Sequence, residues 1–175
     1  MIEPFHNLFH NRLVPVNELK HDEAFEKLGL RLKKEVDSVF GKSLAIREVD
    51  SGSDNATEIE LNNLSNPYYD IERFGVSFVA SPRHADILIV TGAVTLNMES
   101  ALKNTYEAMP YPKLVIAVGD DACDGGIFKG TYAVRGGADK VLPVDAKIPG
   151  NPPSPHKIME DLISLMSALK TSQRK

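Results

Sequence analysis

Ala85-Asp86-Ile87-Leu88-Ile89-Val90-Thr91-Gly92-Ala93-Val94-Thr95 is the stretch that decides the architecture. Ile87–Val90 is an unbroken apolar run. It lacks the alternation of a strand with one wet face, so it reads as a strand buried on both sides, the kind found in parallel sheets covered by helices. Leu114–Val118 has the same character. Working outward, Leu44-Ala45-Ile46 and Val76–Val79 read as shorter strands, and Val141-Leu142 as a last one.

Helical patterns fill the intervals. From Lys20 to Phe40, Phe25, Leu28, Leu32, Val36 and Val39 recur at helical spacing, with Gly41 as the stop. Further helices are predicted from Thr57 to Leu64, ended by Ser65-Asn66-Pro67, and from Thr95 to Met109, closed by Pro110. A final one runs from Ser154 to Leu169, with Ser154 as cap and Pro155 as first residue. Buried strands alternating with helices predict an α/β domain with a mainly parallel sheet. Sites in such sheets gather beyond the carboxyl ends of the strands. The loops that leave those ends are Asp50–Thr57, Gly92–Thr95 and Gly119–Gly126, and the turn Pro149–Pro153 joins them. Residues 1–19 have no period and read as an extended arm whose Phe5, Leu8, Phe9, Leu13 and Val16 lie on another surface. Arm and first helix make up residues 1–41, ahead of a main domain over 42–175.

Composition narrows the function. The 175 residues, 42% hydrophobic, suffice for one domain with a core. A net charge of -4 and the lack of a basic stripe exclude nucleic acid as a partner. No apolar run approaches the roughly 20 residues needed to span a bilayer. The start lacks the apolar core of a secretory signal. A cytoplasmic protein is expected, free or seated on a membrane complex. The single cysteine, Cys123, excludes an internal disulfide and any cluster or zinc site built from several thiolates of this chain.

The loops carry a further signal. Asp50-Ser51-Gly52-Ser53-Asp54-Asn55-Ala56-Thr57-Glu58-Ile59-Glu60 is followed in order by Arg73-Phe74-Gly75, Ala80-Ser81-Pro82-Arg83-His84-Ala85-Asp86-Ile87-Leu88 and Thr91-Gly92-Ala93-Val94-Thr95. Gly125-Gly126-Ile127-Phe128, Gly136-Gly137-Ala138-Asp139-Lys140-Val141-Leu142-Pro143-Val144-Asp145 and Ile148-Pro149-Gly150-Asn151-Pro152-Pro153 continue the series. Over roughly Ser43 to Leu165 this pattern resembles the small subunits of [NiFe] hydrogenases, above all the energy-converting membrane-linked ones, and the 20 kDa subunit of NADH:quinone oxidoreductase. The resemblance implies a flavodoxin-like fold, one [4Fe-4S] cluster held by four cysteines, and docking on a large catalytic subunit. Carried over position by position, the cluster ligands fall on Asp54, Thr57, Asp121 and Asn151. None is a cysteine.

Iron in such clusters takes thiolate donors. Neutral Thr and Asn side chains are far weaker ligands, and Cys123, two residues past the third position, does not complete a cage. The expectation is a chain that keeps the fold and the partner and has lost the [4Fe-4S] cofactor: a structural or assembly subunit docking on a large-subunit relative. The arm and Tyr68, Tyr69, Phe74, Phe128 and Tyr132 are its expected contacts. One alternative keeps electron transfer through a [4Fe-4S] cluster as in the family, with ligands supplied from elsewhere. Another is a divalent-cation site built from Asp54, Glu58, Asp121 and Asp124, with Glu60 and Asp120 nearby. Crowding there would raise the titration of one or more carboxylates.

The remaining motifs read as structural. Gly92-Ala93-Val94-Thr95 and the Gly119–Gly126 loop match neither a dinucleotide fingerprint nor a P-loop, and Asp120, Asp121 and Asp124 repel phosphate. Ser81-Pro82-Arg83-His84 leads into a buried strand and reads as a structural turn. His6 and His10 make only a weak metal pair. Cys123, flanked by Asp121 and Asp124, does not read as a nucleophile.

Overall fold

The computed structural model describes residues 22–172, and the N-terminal arm with His6 and His10 lies outside them. Helix α1 (Glu23–Phe40) begins at Asp22, whose carboxylate accepts from the backbone N–H of Ala24 and Phe25 at 3.1 Å each. It ends at Gly41, in the left-handed region with φ 65°, whose N–H bonds Asp37 O. Strand β1 (Leu44–Asp50), helix α2 (Ala56–Asn63), β2 (Val76–Phe78), β3 (Ile87–Thr91), β4 (Val94–Thr95) and α3 (Glu99–Ala108) follow. The chain continues through β5 (Leu114–Val118), the single-turn α4 (Asp120–Asp124), β6 (Val134–Gly136), β7 (Ala146–Ile148) and α5 (Pro155–Ser172).

Five strands form one parallel sheet in the order β2-β1-β3-β5-β7. This is the flavodoxin-like order, with its switch point between β1 and β3. Strand β3 lies at the centre, and all five of its residues are buried. Ile87 and Ile89 face one core with Leu44, Ile46, Ile116, Val118 and Ile148, covered by Phe25, Leu32 and Val36 of α1 and Ile158, Leu162 and Met166 of α5. Leu88 and Val90 face the other core with Val115, Ala117, Leu102 and Met109. The unbroken apolar run therefore serves two faces at once, and each such side chain contributes about 1.5–3 kcal/mol on burial.

Several expected elements differ. The helix predicted from Thr95 starts only at Glu99, because Val94 and Thr95 pair antiparallel with β6. Val141-Leu142 is not a strand. Leu142 is 6% exposed, a plug for the second core just past a 3-10 turn, and the last strand is β7. The loop Gly119–Gly126 contains the turn of helix α4. Phe74 and Tyr69 are interior residues rather than surface contacts: Phe74, 2% exposed, fills the space that Gly29 of α1 leaves open, and Tyr69 packs on Phe25. Among the described residues no helix is long and apolar enough to cross a membrane.

Candidate functional site

The carboxyl ends of β1, β3, β5 and β7 bring four loops together. Ser51, fully buried, donates its hydroxyl to Thr91 O at 2.7 Å and Gly92 O at 3.0 Å, fixing the first loop on the end of β3. Thr95 N and Oγ1 donate to Ser51 O at 2.9 and 3.1 Å. Gly92, with φ 69°, passes so close to Gly52 and Ser53 that any side chain there would collide with their backbone. Within the loop, Asp50 Oδ1 accepts from the N–H of Gly52 and Ser53 at 2.8 Å, and Asp54 Oδ1 accepts from Ala56 N at 2.9 Å. Both are side-chain turns that leave the loop little freedom.

The opposite wall comes from β5 and β7. Asp120 N donates to Gly150 O, and Gly150 N donates to Asp120 Oδ1, each at 2.8 Å. Lys147 donates to Cys123 O at 2.6 Å and to the Asp139 carboxylate at 2.9 Å. Thr57, 8% exposed, packs against Gly119. Asp121, Asn151, Asp120, Cys123, Asp124, Gly126, Ile127, Lys147 and Pro149 line a hollow of about 500 Å³.

The four positions singled out in the sequence thus gather on one end of the sheet. Thr57 meets the residue that starts the Asp120-Asp121 turn, Asp54 lies close enough to Asp121 to perturb it, and Asp121 shares the hollow with Asn151. Burial, then the charges of Asp54 and Asp120, hold the Asp121 carboxyl above the usual range, against a hydrogen bond from Ile127 N–H. Asp124 goes the other way, lowered by the N–H of Gly126 at 3.0 Å, with Lys129 at 3.6 Å assisting.

Glu58 does not join this group. It is 7% exposed, neither carboxylate oxygen has a hydrogen-bond partner, and its charge acts on Glu48 of β1. Glu48 is raised by burial first, then by Glu58 and Asp50. Glu60 contacts Asn63 at 3.4 Å. Among the described residues no three His, Cys, Asp or Glu side chains are arranged to hold a metal ion. The segment Ser81–His84 lies at the amino end of β3, away from these loops, with Arg83 and His84 exposed.

Cys123 is buried, its Sγ 3.6 Å from Ala117 O. Burial above all pushes its thiol up to about 11, with Asp120 and Asp124 adding to the effect. It is a protonated core residue. The sequence reading did not single out Lys147, which ties the end of β5 to β7, or the Glu48–Glu58 pair. A lysine inside a short apolar strand and a glutamate opening a helix give no pattern that marks them.

At the four gathered positions the donor set is two carboxylates, one hydroxyl and one carboxamide. Asp54 and Asp121 already accept backbone N–H groups. This set does not fit a cluster that takes thiolate ligands.

Comparison with known proteins adds the following. The family model for the 20 kDa subunit of NADH ubiquinone oxidoreductase matches residues 55–165. An uncharacterized protein of Methanocaldococcus jannaschii is 48% identical over 124 residues, 71% of this chain and 83% of that protein. A probable membrane-bound hydrogenase subunit of Pyrococcus furiosus is 40% identical over 142 residues, 79% of this chain and 85% of its own length. A solved chain of the membrane-bound sulfane sulfur reductase, an archaeal respiratory membrane complex, superposes with a TM-score of 0.65 and 35% identity, covering 74% of this chain and 72% of that one.

Proposed function

Because this chain belongs to the family of the 20 kDa subunit of NADH ubiquinone oxidoreductase, we propose that it is a clusterless member, a structural or assembly subunit that docks on a large catalytic subunit. The observation that carries this reading is the donor set: Asp54, Thr57, Asp121 and Asn151 gather as cluster ligands should, and offer no sulfur. The fold then does what the family's fold does for its partner, and electrons take no route through this chain. Seating on the cytoplasmic face of a membrane complex is part of the same proposal, supported by relatives named as subunits of such complexes.

Docking has a physical basis on the same end of the sheet. Ile127 and Tyr132 are 82% and 97% exposed, and Phe128 stands partly exposed between them. Exposed apolar side chains clustered on one loop beside a hollow mark an interaction surface.

Iron and acid-labile sulfide analysis, with EPR of the reduced protein, tests the proposal on the chain isolated with its complex from the native host. Less than a tenth of an equivalent of cluster in this subunit is expected, together with recovery of a large-subunit relative. A stoichiometric [4Fe-4S] signal from this chain would restore the electron-transfer reading.

A further inference from the structure

The docking loop is ordered without help from a partner. Phe128 N bonds Gly125 O at 3.1 Å, Thr131 N and Oγ1 bond Phe128 O at 3.1 and 2.9 Å, and Val134 N bonds Thr131 O at 3.3 Å. Ile127 and Tyr132 are therefore held outward by backbone, with no apolar neighbour covering them. Each forfeits burial at about 25 cal/mol per Å² of apolar surface, which a partner's surface restores.

The hollow that Ile127 borders has the opposite chemistry. Asp120, Asp121 and Asp124 line it, and Asp54 bears on Asp121 from the neighbouring loop. Lys147 is the one cation among the described residues lining it, and its ammonium already serves Asp139 and Cys123 O. Lys129 lies 3.6 Å from Asp124. Asp121, half-buried, is left with like charges around it. A free anion is repelled here. A bare metal ion finds no converging set of three ligands among the described residues. A cation on a flexible stem, delivered by the surface that covers Ile127 and Tyr132, meets both requirements at once.

We propose that the partner subunit presents a basic side chain, arginine or lysine, which enters this hollow and pairs with Asp121, while Ile127, Phe128 and Tyr132 form the apolar margin of the same interface. The inference rests on the docking role proposed above and names the chemistry of the partner's contact.

The test uses the full-length chain and the large subunit that co-purifies with it, re-bound to immobilised wild type, Asp121→Asn, Asp121→Lys and Tyr132→Ala, at 50 and 500 mM KCl. Wild-type binding is expected to weaken with salt. Asp121→Asn should raise Kd about tenfold at low salt and flatten that dependence, and Asp121→Lys should weaken binding further. Thermal melting controls for folding: Asp121→Asn removes a charge from a crowded site, so its Tm should equal or exceed the wild type's. Retention of wild-type affinity and salt dependence by Asp121→Asn, with Tyr132→Ala weakened, would overturn the basic side chain and leave docking standing. Wild-type binding that neither salt nor any of the three substitutions changes would overturn both.

Discussion

Thr57 and Gly119 fit together so tightly that a methyl group on Gly119 would stand 2.6 Å from Thr57 Oγ1, and Gly119 itself sits at φ 89°. Backbone geometry and close approach both call for glycine there. Gly119→Ala is expected to cost about 1–3 kcal/mol of stability. In a Thr57→Ala background the loss should be smaller, because the steric part is relieved and the left-handed strain remains. Denaturant melts of the four proteins read the coupling; equal losses in both backgrounds would mean that the two residues do not press on each other.

The loops that hold the four vacated positions are built from oxygen and nitrogen contacts, so their spacing should survive a change of donors. Asp54→Cys/Thr57→Cys/Asp121→Cys/Asn151→Cys, reconstituted anaerobically with iron and sulfide, is expected to take up a [4Fe-4S] cluster visible by EPR. Any one of these substitutions alone should not. Failure of the fourfold variant, with its fold intact by circular dichroism, would mean that the scaffold has drifted as well as the ligands.

Glu58 is 7% exposed with both oxygens unpartnered, a costly way to keep a carboxylate. Glu58→Leu should therefore stabilise the protein at neutral pH by about 1–3 kcal/mol. Its charge is also the second cause, after burial, of the raised Glu48. A raised carboxyl means that the folded chain holds more protons than the unfolded one between the ordinary and the raised value. Stability from Glu48 is thus fully present below the ordinary glutamate range and is lost as pH rises through the raised value. Carbon-detected NMR titration should place Glu48 lower in Glu58→Leu than in wild type, with a shallower decline of stability over that window. An unmoved Glu48 would rule out the pairing.

Cys123 is 8% exposed with a thiol pushed up to about 11. At pH 8 about one thiol in a thousand is ionised, and the reagent must also reach it. Iodoacetamide should label the native protein at least a hundredfold more slowly than the same chain in guanidinium chloride. Comparable rates would place the sulfur at the surface.

Much of the sheet was legible because its central strands leave no choice. Ile87–Thr91 and Leu114–Val118 are apolar throughout since both faces are covered, and α1 announced itself through helical spacing and Gly41. The β4–β6 ribbon was not legible: pieces of two and three residues carry no periodicity, and Thr95 suits a helix start as well as a strand. Strand β7 was hidden by Lys147 in its middle, while Val141-Leu142 looked like a strand because Leu142 must be apolar to plug the second core. Tyr69 and Phe74 read as surface aromatics because nothing local announces that Gly29, far away in sequence, makes room for a ring. At the site, composition alone said only that several thiolates were impossible. Which oxygen-bearing residues stand in their place came from the resemblance, and the geometry then drew those loops together. The inward burial of Glu58 escaped notice since a glutamate in a helix's first turn ordinarily faces water.

The reciprocal bonds between Asp120 and Gly150 have a consequence for how this protein matures. They clasp the end of β5 to the proline-rich turn with a carboxylate and two peptide groups, a fastening the ribosome supplies complete. A fold closed in this way has no step that waits on a metallochaperone, so the chain should accumulate normally in cells starved of iron, ready before any metal-dependent partner is.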